Sequence, residues 1–377
     1  MRTPSSAEEN KEVTWPFSCV GCGLAYPTSG LPYQCPSCGG IYDFNRGLDY
    51  APLGPPRPGF RGLFRFRSTL PLPSHAELIS LGEGETPLVD LEIEGRRVHF
   101  KCEHLNPTGS FKDRGSVALV SALTVMGVEE AVEDSSGNAG ASFAAYAARA
   151  GIRAKVFVPS YASGPKQAQI QAYGAEIVRV PGPRSKAAEA VRCAADTGAV
   201  YASHVYLPHG IAGMATVAFE IVEQLDRSPG AVILPVGHGS LLLGIYRGFE
   251  AMVEAGQIDV LPALIGVQAH ACAPIWTAYN QGAMQSEPVT EGETIAEGIR
   301  ILQPPRAEAV LSVLGGSAGR MVAVDEESIQ EGRNALAKRG LYVEATSAVV
   351  WPALLMTLKD LMDPVVVILT GSGYKDS

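Results

Sequence analysis

The residue most able to do chemistry is Lys112, in the stretch Asn106-Pro107-Thr108-Gly109-Ser110-Phe111-Lys112-Asp113-Arg114-Gly115. Pro107 and Gly109 make a tight loop, and a helical pattern begins directly after it. A lysine seated at a helix start beside Phe111 has two reasons for a lowered pKa, the positive helix end and an apolar neighbour. Such an amine is neutral often enough to attack an aldehyde. Alone, the same residues read equally well as a surface lysine in a solvated charge run with Asp113 and Arg114.

Two further loops could hold anions. Ser135-Ser136-Gly137-Asn138-Ala139-Gly140 lies between a strand pattern and a helix pattern, so its free N–H groups and hydroxyls can form a cradle. A helix N-cap without a ligand would look the same. Gly237-His238-Gly239-Ser240 has the same setting and suits a phosphate at a helix start, although a tight structural turn is an equal reading. The spacing lacks the third glycine of a dinucleotide fingerprint and no Walker lysine follows, which argues against NAD and ATP. Near the start, Cys19, Cys22, Cys35 and Cys38 form two Cys-x2-Cys pairs separated by a dozen residues. Each pair can present two thiolates from one turn, and the set completes a tetrahedron for a structural zinc with no open position for catalysis. Free or redox-active dithiols are the alternative.

The elements that must position these residues follow an α/β rhythm. After a Cys-, Gly- and Pro-rich segment (residues 17–44) and a connector expected to be extended (residues 49–62), Val/Ile-rich runs alternate with Ala-rich amphipathic runs. Strands are expected at 131–134, 154–158, 176–180, 231–236 and 365–369. Helices are expected at 139–150, 167–173, 217–225, 241–252, 326–338 and 346–361. Crossovers this regular imply right-handed βαβ units and a largely parallel sheet. The 377 residues, 46% hydrophobic and 18% charged, suffice for two buried cores. A formal charge of −9 argues against nucleic acid or an anionic membrane as partner. The first 15 residues lack a secretory apolar stretch, and the longest apolar runs are too short to span a bilayer. The expectation is a cytoplasmic protein acting on a small molecule, its remaining cysteines (Cys102, Cys193 and Cys272) buried thiols.

The three loops in this order resemble the fold-type II pyridoxal-phosphate enzymes, and within them the threonine synthase family. The resemblance runs over almost the whole chain. It includes Leu81-Gly82-Glu83-Gly84-Glu85-Thr86-Pro87-Leu88, Gly340-Leu341-Tyr342-Val343-Glu344-Ala345-Thr346-Ser347-Ala348 and Leu369-Thr370-Gly371-Ser372-Gly373-Tyr374-Lys375-Asp376. It implies a two-domain α/β fold of the tryptophan synthase β type with an N-terminal zinc ribbon. The ribbon and linker would take residues 1–62, a large domain 63–110 with 205–377, and a small domain 111–204 that closes over the cleft. It also implies pyridoxal 5'-phosphate as cofactor, zinc as a structural metal, a homodimer, and conversion of O-phospho-L-homoserine and water to L-threonine and phosphate.

Carried over by residue, the resemblance gives Lys112 the Schiff base and the later proton transfers. Asn138 would bond the cofactor's ring hydroxyl, and Gly237, His238, Gly239, Ser240 and Leu241 would cradle its phosphate. Thr370 would face the pyridine nitrogen, where a hydroxyl does not enforce ring protonation. Ser135, Ser136 and Gly137 would take the substrate carboxylate. Glu344 is either a site residue or a buried structural carboxylate, and His204 and His209 are candidates for the cleft wall. The family's Asn-Pro-Tyr-Arg-like stretch is implied to grip the substrate phosphate, but here Leu207 and Gly210 stand at the Asn and Arg positions. Loss of a bidentate guanidinium weakens a phosphate site. His209, Lys166 or Arg184 could compensate. The departure also leaves open β-elimination or β-replacement on serine, threonine or phosphoserine, including a cysteate synthase-like reaction.

Overall fold

The computed structural model describes residues 13–52, 54, 62–290 and 292–376. Most of the expected 49–62 connector, and most of the polar first 15 residues, lie outside the described residues. The expected α/β architecture is present as three sheets. A two-stranded antiparallel ribbon joins β1 (Phe17–Cys19) to β2 (Tyr42–Phe44). A six-stranded sheet is built from β3 (Leu88–Ile93), β4 (Arg96–Lys101), β9 (Ala231–Pro235), β10 (Ala263–Ala269), β11 (Arg320–Val324) and β12 (Val365–Ile368). A four-stranded sheet holds β5 (Glu130–Glu133), β6 (Arg153–Pro159), β7 (Glu176–Val180) and β8 (Val200–Tyr201).

The small sheet runs β7-β6-β5-β8 and is wholly parallel. The large one runs β11-β10-β9-β12-β4-β3, parallel except for the edge strand β3. Its central strands β9 and β12 are buried at every position, which is why their sequences read as continuous apolar runs rather than alternating ones. Parallel strands place all their C-terminal ends on one side, where open α/β sheets bind ligands.

Six helices fix that side: α1 (Lys112–Val125), α2 (Asn138–Ala150), α3 (Pro165–Ala172), α4 (Arg184–Asp196), α5 (His209–Leu225) and α6 (Ser240–Glu254). Helix α1 packs on both α2 and α5, and α5 packs on α6, so the helix bearing Lys112 bridges the layers of the two larger sheets. Helix α5 begins eight residues before the expected start at 217, because Pro208 sits at its N-cap and small residues continue the apolar face. The expected helix 346–361 is broken into Ala345–Ala348, Val350–Thr357 and a 3-10 turn Leu358–Asp360. Pro352 has no N–H to give Ala348, so the helix cannot run straight through. No helix among the described residues is long and apolar enough to cross a membrane.

Candidate functional site

Lys112 is the first residue of α1, as its loop implied. The strand–loop–helix context holds it from behind: the amide of Phe111 donates to the Thr370 carbonyl at 3.0 Å, and Ser110 bridges to Gly371. Its Nζ lies 4.7 Å from the centroid of the Phe111 ring. Burial pushes the amine down to about 8, helped by Arg184 and opposed by Glu133 and Glu344. The charge-run reading is overturned. Asp113 and Arg114 are 0% exposed and face inward. Asp113 accepts from the Thr108 amide (2.7 Å) and from the hydroxyls of Thr108 and Ser142 (both 2.6 Å).

Beneath Lys112 lies an ion cluster that sequence reasoning did not anticipate. Arg114 donates from Nε to Glu103 at 2.6 Å and from Nη1 and Nη2 to Glu220 at 2.7 Å, and it also reaches Thr216. Lys101 donates to Glu220 at 2.6 Å, to the Thr86 carbonyl at 2.8 Å and to Gln224 at 2.9 Å. Burial works against ionisation of Glu220, yet Arg114 and Lys101 hold its carboxyl well below the usual range. The cluster ties α1, α5, the end of β4 and the Gly84–Thr86 loop into one support. Its charged members are up to 119 residues apart in sequence, so no local motif announces it.

The other predicted residues converge around Lys112 through a chain of direct contacts. Asn138 opens α2, and its amide nitrogen donates to Glu344 at 2.8 Å while its carbonyl oxygen is buried with no partner. The Glu344 backbone N–H donates to Gly371 at 3.0 Å, and its side chain pairs with Lys166 at 3.1 Å, so Glu344 belongs to the site's edge. Thr370 is buried. Its amide donates to Ser347 at 2.8 Å, and its hydroxyl has no partner. Of the Ser135–Gly137 amides, Ser135 donates to Glu133 and Gly137 to the Ser135 hydroxyl, which leaves Ser136 and the first turn of α2 free.

The loop after β9 places Gly239 at the N-cap of α6 with φ +91°, where a Cβ would stand 2.4 Å from Val310. Leu243 donates the first intrahelical bond to Gly239, which leaves the N–H groups of Ser240, Leu241 and Leu242 pointing out of the helix start. The Ser240 hydroxyl and both ring nitrogens of His238 are buried without partners. Unpaired buried polar atoms are rare in native folds unless something binds there.

His204 lines the same narrow crevice as Lys112, with Glu133, Ala139, Phe143, Gly210 and Met214. Its Nδ1 is 2.8 Å from the Glu133 carboxylate, and its ring stands edge-on to His238 at 5.9 Å. Burial raises Glu133 to about 7 and holds His204 well below its ordinary value. His209 is a correction. It lies not in the cleft but in a box of Trp15, Phe17 and Tyr26, at centroid distances of 4.6, 4.7 and 5.6 Å. Burial drives it down to about 3, so it cannot supply a positive charge to a phosphate. Gly210 packs against Gly115, with a Cβ position 3.3 Å from its Cα, so backbone occupies the space an arginine would leave through. Arg184, at the start of α4, acts electrostatically on Lys112, Glu133, His204 and His238, and Lys166 pairs with Asp376 at 2.9 Å.

The four N-terminal cysteines form a second centre. All four sulfurs lie within 4.8 Å of one another, with Cys19–Cys38 at 3.4 Å and Cys22–Cys35 at 3.6 Å. A tetrahedral zinc with bonds of about 2.3 Å needs sulfurs about 3.8 Å apart. The two knuckles match: Gly23 donates to Cys19 at 2.9 Å and Gly39 to Cys35 at 2.8 Å. The ribbon is fastened by Arg306, buried among the Val205, Tyr206 and Tyr42 carbonyls and the Asp43 carboxylate.

Comparison with known proteins places this geometry. The family model described as "Pyridoxal-phosphate dependent enzyme" matches residues 79–371. The threonine synthase of Methanocaldococcus jannaschii is 36% identical, over 95% of this chain and 92% of that protein. That of Methanosarcina acetivorans is 33% identical, over 96% and 92%. Among solved structures, a T.th. threonine deaminase superposes with a TM-score of 0.65 at 29% identity, over 76% of this chain and 92% of that one. Maize serine racemase, at 22% identity and a TM-score of 0.67 over 76% and 88%, shows the shared fold.

Proposed function

Because the chain belongs to the pyridoxal-phosphate dependent enzymes, and within them to the threonine synthase family, we propose that it converts O-phospho-L-homoserine and water to L-threonine and phosphate. The observation that carries this reading is the convergence of a lysine amine lowered to about 8 with a ring of buried, unpartnered polar atoms from three loops. Those atoms fit the cofactor. Lys112 would hold it by its amine, the free amides of Ser240 and Leu241 with the Ser240 hydroxyl would take its phosphate in the Gly237–Leu241 turn, the Asn138 carboxamide would meet its ring hydroxyl, and the Thr370 hydroxyl its ring nitrogen. When bound, the cofactor supplies an electron sink for negative charge at the substrate's α-carbon.

The chain's own groups supply the rest. The start of α2, with Ser135, Ser136 and Gly137, orients the substrate carboxylate toward the positive helix end. Lys112, freed by the substrate's amine, takes the α-proton, and its low pKa keeps it able to do so near neutral pH. Arg184 and Lys166 supply positive charge where Gly210 supplies none, and they are the groups proposed to receive the substrate phosphate. The small sheet's segment, residues 111–204, is proposed to close on residues 63–110 and 205–377 and exclude water. The four thiolates would hold a structural zinc that anchors the ribbon.

Leu207 and Gly210 favour one second reading, β-elimination or β-replacement on serine, threonine or phosphoserine. A substrate panel separates the two. Phosphohomoserine should yield equal phosphate and threonine. Turnover of phosphoserine (with or without sulfite) or serine in its place would transfer the assignment to the second reading.

A further inference from the structure

The reaction proposed above moves more protons than one amine can hold. Once Lys112 has taken the α-proton it is an ammonium and cannot also accept a proton from water. Yet a water must lose one as it adds to the β-carbon. A second base is required, close to Lys112 and shielded from bulk solvent.

We propose that Glu133 and His204 are that pair: the Glu133 carboxylate holds the imidazole, and His204 Nε2 takes the proton from the water that adds at the substrate's β-carbon. The inference rests on the reading in the previous subsection. In the step, phosphate leaves Cγ as Cβ gives up a proton, a proton is returned to Cγ to leave a methyl group beside a Cα=Cβ unit, and the water oxygen then bonds to Cβ. The water's proton passes to His204, the displaced electron pair goes to Cα, and Lys112 returns the proton it took. His204 then releases its proton to solvent, so charge and atoms balance.

Three observations support it. Nδ1 of His204 is engaged by Glu133 at 2.8 Å, and Nε2 has no hydrogen-bond partner among the described residues. The side chain is 16% exposed, against 1% for Glu133, so the imidazole is the reachable member of the pair. Both residues line the crevice that Lys112 enters, whose other walls include Leu119, Phe143 and Met214. A carboxylate behind an imidazole fixes the tautomer that leaves Nε2 a free acceptor. Burial above all keeps His204 neutral; Lys112 from α1 and Arg184 from α4 add to this, and Asp134 beside Glu133 opposes it. His238, from the loop before α6, faces it edge-on. A second histidine–carboxylate pair among the described residues, His99–Asp90 at 2.7 Å, lies on the β3–β4 hairpin and serves as a control.

The test uses the cofactor-loaded enzyme. His204→Asn should lower threonine formation about 100-fold or more, mostly in kcat. Phosphate release should fall much less, and the missing threonine should appear as 2-oxobutyrate and ammonia, which consume the same single water overall. Glu133→Gln should shift the partition the same way, and His99→Asn should not shift it. A second readout needs no turnover. In 15N-histidine NMR at pH 8, the signal lost in His204→Asn should be neutral and protonated at Nδ1, and Glu133→Gln should perturb it. If phosphate and threonine fall together, if threonine yield stays within a few fold, or if His204 is protonated at Nε2, the inference is overturned. If wild-type enzyme releases no threonine from phosphohomoserine, the functional reading itself fails, and the inference with it.

Discussion

Lys112 and Arg114 stand two positions apart on α1 and enter opposite kinds of polar environment. Arg114 meets Glu103, Glu220 and Thr216, and every donor it offers is answered. Lys112 lines a narrow crevice with Glu133 and His204, and the loops linked to it carry an unpartnered Thr370 hydroxyl, Ser240 hydroxyl, Asn138 carbonyl and His238 ring. Both clusters are buried. The first is complete without a ligand and therefore acts as scaffold. The second is incomplete, and its unmet donors and acceptors define what it is built to bind. Burial of polar groups alone does not mark a functional site, and neither does unanswered burial alone, since the unpartnered His209 ring sits in an aromatic box; unanswered groups on the loops that meet at Lys112 do point to one.

The largest effect should come from breaking the complete cluster. Arg114→Met leaves Glu103 and Glu220 buried with Lys101 as their only cation, and should cost about 3–5 kcal/mol in urea unfolding. A loss under about 1 kcal/mol would show that the cluster is not self-supporting. Next, Cys22→Ser should abolish stoichiometric zinc, read by elemental analysis, and loosen the ribbon from α5, read as faster hydrogen exchange in residues 15–45. An unchanged metal content would sever the ribbon from the zinc reading.

A third effect depends on pH. The folded-state pKa of His209 lies near 3, below the unfolded value near 6.5, because burial disfavours its cation. The cost to the wild type is therefore absent above pH 7 and grows as pH falls from about 6.5 toward 3. His209→Phe, which keeps the aromatic box filled, should raise Tm relative to wild type at pH 5 and lose that advantage at pH 8. An equal difference at both would contradict it. The smallest effect belongs to the incomplete cluster. Ser240→Ala should change the stability of the cofactor-free protein by no more than about 1 kcal/mol, because no bond is lost. It should weaken cofactor binding about tenfold by fluorescence titration.

Much of this was legible in the sequence because it is local. The loops at 135–140 and 237–240 sit where strand and helix periodicities change, and the four cysteines announce themselves by spacing. Lys112 at a helix start followed from Pro107 and Gly109. What was not legible is assembled from distant parts. Lys101, Glu103, Arg114 and Glu220 meet only when β4, α1 and α5 pack. His204 reaches Glu133 only through the crossover between β5 and β8. His209 looked like a cleft residue because Gly210 beside it is one. A one-residue step around α5 turns its ring toward Trp15 instead. The β3–β4 hairpin escaped notice because its polar alternation, with Glu94 and Gly95 at the turn, lacks the apolar runs of the central strands.

The most direct measurement is peptide mapping after borohydride reduction of the protein with bound pyridoxal phosphate. A single pyridoxyl group on Lys112 is expected. Its formation from cofactor-free protein should rise with pH through a midpoint near 8, as the amine loses its proton. An adduct on another lysine, or none, would contradict the assignment of Lys112.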